Sequence, residues 1–272
     1  RRCQRFWRAL PDAVQCPAKK EGAARSMKPV EPAVTLVRMS PDADELIASA
    51  AKLCYASDTS EILRQDPQRA GEFVRMLKKI GHLSPIEHAV FTFYIEGVSR
   101  AMTHQLVRHR IASFSQRSQR YVGHADFDYV VPPRLRGRRV RVGGKEIDAV
   151  EYFRQTMELI AERYRTLNEA LGDEGESSHE DARYVLPNAC ETKIFVTMNA
   201  RELLHFFEER LCQRAQWEIR TVAEKMLSLI RGSCPAIFET AGPKCVRLGG
   251  CPEGKMTCGR FAEVRARYAP GG

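Results

Sequence analysis

The sequence predicts an α+β fold, with long helices packed on a small, mostly antiparallel sheet in a single domain. Three observations predict it. Short alternating stretches rich in β-branched and aromatic residues recur along the chain. Between them lie longer runs with apolar residues every three or four positions, the period of an amphipathic helix. No internal repeat or linker divides the 272 residues, which are enough to bury a substantial core.

Residues 33–40, AVTLVRMS, alternate as a strand. A helix is expected next, with Ser40 as its N-cap, Pro41 at the first helical position and acids in the first turn. In PQRAGEFVRMLKKIGHL the apolar positions Phe73, Val74, Leu77 and Ile80 predict a helix that ends at Gly81. HAVFTFYIEGVSR reads as an aromatic-rich strand, and RAMTHQLVRH as a short helix leading into a polar loop. FDYVVPP reads as a strand stopped by its prolines, and RLRGRRVRVGGK as an exposed connection. From 146 to 171 the apolar residues step by three and four, predicting one long helix. EDARYVLP is expected to be a short helix, ETKIFVTMNA a strand, and RELLHFFEERL and AQWEIRTVAEKMLSLI two further helices.

Composition narrows the function. Hydrophobic residues make up 43% and charged residues 28%, a globular balance, and the net charge of +9 favours an anionic partner. No apolar run is long enough to span a membrane. Residues 1–26 are basic but lack a signal peptide's apolar region, and are expected to be a disordered extension. Nine cysteines, an odd number in a long chain, suggest free thiols and a cytoplasmic setting. Cys234, Cys245, Cys251 and Cys258 could in principle hold zinc, but the paired short spacing of common zinc sites is missing, so no metal is expected. Neither a dinucleotide-binding G-x-G-x-x-G nor a P-loop occurs. The acid pairs Glu208–Glu209 and Asp173–Glu174 read as solvated.

Three segments carry chemistry. HLSPIEH, residues 82–88, sets His82, Ser84, Glu87 and His88 around a proline turn, where such side chains also commonly satisfy backbone groups. RHRIASFSQRSQR, residues 108–120, holds four arginines and no acid or lysine, a density that is self-repulsive without an anionic ligand. Its serines and glutamines add donors and acceptors for a small polar ligand. In NARELLHFFEERLCQRAQWEIR, residues 199–220, Asn199 can cap a helix with Glu202 three residues on. Leu203, Leu204, Phe206, Phe207 and Leu211 make its core face, leaving Arg210 ambiguous, and Trp217 could cover a pocket.

These three segments together resemble the flavin-dependent thymidylate synthases. That family's signature is Arg-His-Arg, seven residues, then Ser, and here it reads Arg108, His109, Arg110, IASFSQR, Ser118. The resemblance runs over residues 27–234 as a catalytic domain, leaving 235–272 as a cysteine-containing tail. It implies methylation of dUMP to dTMP, with 5,10-methylenetetrahydrofolate as carbon donor, FAD as cofactor and NADPH as reductant. It also implies a homotetramer with active sites shared between subunits. His82, Ser84, Arg108, His109, Arg110, Gln116, Asn199, Arg201 and His205 match flavin positions. Gln105, Arg108, Gln116, Arg117, Ser118, Arg120, Arg183 and Arg210 match dUMP positions. Arg210 matches the arginine that activates the pyrimidine, a role suited to a cation that never deprotonates. Ser115 and Gln116 stand where many members carry Asn and an acid, and Arg214 where some carry His, so Arg214 is left without a role. The alternatives are a basic nucleic-acid-binding protein, disfavoured because the arginine loop lacks aromatic interleaving, and a flavoprotein that has lost methylation.

Overall fold

The computed structural model describes residues 26–268, so the expected extension at 1–26 lies outside the described residues except for Ser26. Strand β1 (Ala33–Met39) is followed by α1 (Ala43–Lys52), the short α2 (Thr59–Leu63) and α3 (Pro67–Ile80). Strand β2 (Val90–Ser99) runs into α4 (Arg100–Leu106), and β3 (Ala112–Gln116) follows. A hairpin of β4 (Arg139–Val142) and β5 (Lys145–Asp148) leads into α5 (Ala149–Ala170) and α6 (Glu176–Ala182). Then β6 (Glu191–Asn199) opens directly into α7 (Ala200–Arg210). Helices α8 (Trp217–Arg231), α9 (Pro235–Phe238), α10 (Lys244–Leu248) and α11 (Phe261–Tyr268) come last.

The main sheet has the order β1-β2-β6-β3, antiparallel throughout. Register follows the two-residue period: Phe91, Phe93 and Ile95 of β2 face Met198, Val196 and Ile194 of β6, all buried on one side. Helices α1, α3, α7 and α8 contribute Ile47, Val74, Phe206, Phe207, Val222 and Met226 to the same core. At their buried areas, each large aliphatic or aromatic side chain contributes about 1.5–3 kcal/mol. Between Ile95 and Val98 the pairing slips, and Gly97 sits there at φ +66 with the Glu31 carbonyl 2.1 Å from where a Cβ would stand. A smaller cluster packs Phe127, Tyr129 and Cys190 against Met157 and Ala161 of α5.

Two capping contacts set α4, which leads into the arginine-rich segment, and α7, which carries Arg210. Ser99 caps α4 by accepting from the Met102 N–H at 3.1 Å, while its own N–H and hydroxyl donate to Glu218 of α8, both at 2.6 Å. Asn199 caps α7, accepting from the Glu202 N–H at 2.8 Å.

Several sequence expectations need correcting. Ser40 does not cap α1: its hydroxyl accepts from the Val90 N–H at 2.9 Å, and the helix starts after a turn with Asp42 in the left-handed region. Residues 112–116 form an edge strand and not a loop. Ala112, Phe114 and Gln116 alternate with the outward Ser113 and Ser115, and an edge strand needs an apolar surface on one face only. FDYVVPP forms no strand of the sheet, because Tyr129 makes only isolated bridges to Pro29 and Cys190. The exposed connection is a hairpin turning at Gly143 and Gly144, both at positive φ. It takes Glu146 and Ile147 out of the expected long helix, which Asp148 caps instead.

Candidate active site

A cleft of about 1550 Å³ lies where the C-terminal end of α3, the 108–111 segment, α7 and the tail meet. Its lining brings together Arg108, His109, Arg110, Asn199, Arg201, His205 and Arg210, residues that lie in two separate segments of the sequence. His82 and Ser84 are exposed beside the lining residues Gly81 and Leu83 and are not themselves part of the wall. Trp217 does not line the cleft.

Within the lining, Arg210 donates its Nε–H to Nε2 of His109 at 3.0 Å. A guanidinium can only donate, so Nε2 must be the unprotonated nitrogen, and Nδ1–H donates to Glu202 at 3.2 Å. His109 is 6% exposed and Glu202 7%. Burial, then the neighbouring Arg210 charge, pushes His109 down to about 4, so it is neutral at pH 7 and keeps this tautomer. Burial raises Glu202 above the usual carboxylate range. The terminal amino groups of Arg210 make no hydrogen bond among the described residues, leaving four N–H donors for a ligand.

The cleft is strongly cationic. Eight lysines and arginines line it against four glutamates. Each glutamate is engaged: Glu87 with Arg201, Glu202 with His109, Glu208 with Arg247 and Glu209 with Lys244. The last two correct the expectation that Glu208 and Glu209 are simply solvated, since they clamp α10 onto α7. Uncompensated positive charge in a concave site is what an anionic, phosphate-bearing cofactor needs, and the volume suits a dinucleotide.

The remaining predicted residues gather elsewhere. Gln116 donates to the hydroxyls of Thr103 at 2.9 Å and Thr192 at 3.2 Å. Arg117 lies 3.7 Å from Glu191, and Arg120 pairs with Glu176 at 2.7 Å and Glu180 at 3.0 Å. Arg183 donates to the Glu180 carbonyl at 3.1 Å, and the Ser118 hydroxyl accepts from the Arg120 N–H at 3.1 Å. Gln105 is half-buried on α4. None of these residues lines the cleft that holds Arg210. The one chain thus divides the expected residues between two places.

Several charged or titratable neighbours of these two groups carry no sequence motif. In the sequence Glu202 reads only as a capping residue, whereas the structure sets it against His109. Arg100, half-buried beside Arg183, gives the second group a further cation, and burial with that like charge lowers its pKa. His124 is held near 4 chiefly by burial, close to Arg117, His179 and Arg100. Arg214 pairs with Glu253 of the tail at 3.2 Å.

The cysteine grouping also changes. Cys234 is buried, and the desolvation pushes its thiol up to about 11. Cys212 stands in its place beside Cys245, near Cys251 and Cys258. Among the described residues no group of three or more His, Cys, Asp or Glu is arranged to hold a metal ion.

Residues 35–236 match a family model described as thymidylate synthase complementing protein. The chain belongs to the flavin-dependent thymidylate synthases. It is 47% identical over 244 residues to a flavin-dependent thymidylate synthase of Clostridium tetani, spanning 86% of this chain and 96% of that one. It is 50% identical over 239 residues to that of Geobacter sulfurreducens, with 86% and 97% covered. A solved UMP/dUMP methylase, PolB from Streptomyces cacaoi bound with 5-Br dUMP, aligns with a TM-score of 0.64 at 28% identity. That alignment covers 78% of this chain and 95% of the other. Membership makes this chain a methyltransferase-type flavoenzyme, and among the described residues no helix is long and apolar enough to cross a membrane.

Proposed function

We propose that this enzyme converts dUMP to dTMP by reductive methylation, with 5,10-methylenetetrahydrofolate as carbon donor, FAD as cofactor and NADPH as reductant. The observation that carries the reading is Arg210, aimed from a buried, neutral His109 into a cation-rich cleft.

Methylation at C5 of uracil requires negative charge to build on the pyrimidine ring. A fixed guanidinium set before the reaction stabilises that charge without reorganising, an effect typically worth about 3 kcal/mol. Arg210 suits this task because one donor is locked on His109 while the others have no partner among the described residues. Arg108, Arg110, Asn199, Arg201 and His205 would hold the flavin. When bound, FAD supplies the hydride chemistry, and the protein supplies orientation and field. Gln105, Gln116, Arg117, Ser118, Arg120 and Arg183 are assigned to the nucleotide, and His82 and Ser84, exposed at the edge of the cleft, would help to hold the flavin.

Because the two groups of residues lie in separate regions of one chain, we infer that a complete site is assembled between subunits of a homotetramer. Exposed apolar side chains support such assembly. Phe195 on the outer face of β6 is 42% exposed, and on α5 Tyr152 and Leu159 are 42% and 48% exposed. All seven cysteines among the described residues are free, which fits the reducing cytoplasm. The test is direct: purified protein with FAD, dUMP, methylenetetrahydrofolate and NADPH is followed by chromatography. dTMP that forms only when all four are present supports the reading, and its absence in the complete mixture refutes it.

A further inference from the structure

The tail beyond residue 236 lies outside the matched family span, yet it builds one wall of the cleft through Thr240, Val246, Arg247 and Arg265. Arg247 is neutralised by Glu208. Arg265 is different: it is exposed, lines the cleft and has no ion-pair partner among the described residues. Lys79, at the C-terminal end of α3, also lines the cleft and has no carboxylate partner among the described residues. Neither is among the residues assigned above to the flavin or the nucleotide.

The position of Arg265 is fixed by the fold. It lies between Val264 and Tyr268, both 4% exposed and both packed into the main core. Arg231 of α8 anchors the end of the same helix by donating to the Tyr268 carbonyl at 3.0 Å. The backbone that carries Arg265 is therefore held against the body of the protein while its guanidinium has no ion-pair partner among the described residues.

We propose that Arg265 and Lys79 supply anion contacts for the phosphates of a dinucleotide in the cleft, so that the tail is part of the binding machinery. The inference rests on the proposed function. A phosphate accepts bidentately from guanidinium and takes a point charge from lysine, which is the chemistry these two side chains offer. The phosphate could be FAD's diphosphate or a phosphate of NADPH, and the experiment separates the two.

Arg265→Ala, Lys79→Ala and, as a control, Arg267→Ala are compared with the parent. Arg267 sits on the same helix but pairs with Glu224 at 3.1 Å and does not line the cleft. FAD affinity is read by quenching of flavin fluorescence, and the KM for NADPH by initial rates at saturating FAD. Loss of one charge-assisted contact at an open rim should weaken binding about tenfold. A rise in the FAD dissociation constant for Arg265→Ala and Lys79→Ala, with Arg267→Ala unchanged, assigns the contacts to the flavin. Unchanged FAD binding with a raised KM for NADPH assigns them to the reductant. If both variants match the parent in both readouts, or Arg267→Ala weakens binding equally, the proposal is overturned. A parent that binds no FAD would instead refute the proposed function.

Discussion

Arg210 and His109, 101 positions apart in sequence, meet at 3.0 Å with the arginine donating and the imidazole accepting. The direction of that bond forces the proton of His109 onto Nδ1, where Glu202 accepts it. A buried carboxylate therefore sets the aim of the cation through an imidazole.

Glu202→Ala removes the acceptor for Nδ1–H, so His109 can turn over to its other tautomer and present a donor to Arg210. Two donors facing each other would push the guanidinium out of line. Turnover is expected to fall by about tenfold or more, while retained flavin changes by less than a few-fold. Glu202→Gln, which keeps a carbonyl acceptor, should restore part of the loss. Equal loss of flavin and turnover in both variants would point to a structural defect.

His109 and His124 fall to about 4 in the folded protein from an ordinary 6.5. Between those values the unfolded chain binds more protons than the native one, so stability rises with pH there. It is fully present above about 6.5 and is lost as pH falls towards 4, by at most about 3 kcal/mol per histidine. Urea midpoints measured from pH 7.5 to 4.5 should fall, and His124→Asn should flatten the slope. A slope unchanged by that substitution would place the titration elsewhere.

The division of predicted residues between two regions makes a claim about assembly. Arg210→Ala and Arg183→Ala should each be inactive alone. Subunits mixed by co-expression should regain activity, because some sites would take Arg210 from one chain and Arg183 from another. No recovery in verified mixed oligomers would mean that each site is built within one chain.

Gly97→Ala is expected to destabilise the fold by more than about 2 kcal/mol, since both the positive φ and the Glu31 carbonyl at 2.1 Å oppose a side chain. Asn199→Ala should cost about 1 kcal/mol through loss of the α7 cap. Thermal melts that rank the two in the opposite order would contradict this account of the backbone.

Much of this was legible beforehand where one local rule acted alone. Gly81 ends α3, Asn199 caps α7, and β2 and β6 alternate as the pattern requires. The expectations failed where a distant partner decided the outcome. Ser40 is taken by Val90, fifty residues away, and the polar 112–116 stretch becomes a strand because β6 offers it an edge. The cleft was legible only in part. Arg108, His109, Arg110 and Arg210 could be named from motifs, but Glu202 reads as an ordinary cap until His109 is seen beside it. Arg265 carries no motif at all, and only the packing of Val264 and Tyr268 brings it to the wall.

In the proposed reaction Arg210 acts on a pyrimidine held against a flavin in this cleft. The most direct measurement is the visible spectrum of the FAD-loaded protein during titration with dUMP, for the parent and for Arg210→Ala. The flavin band of the parent is expected to shift on adding dUMP. Arg210→Ala is expected to retain the flavin but to lose both the shift and turnover. A variant that keeps the parent's dUMP-induced shift and its turnover would contradict this role of Arg210.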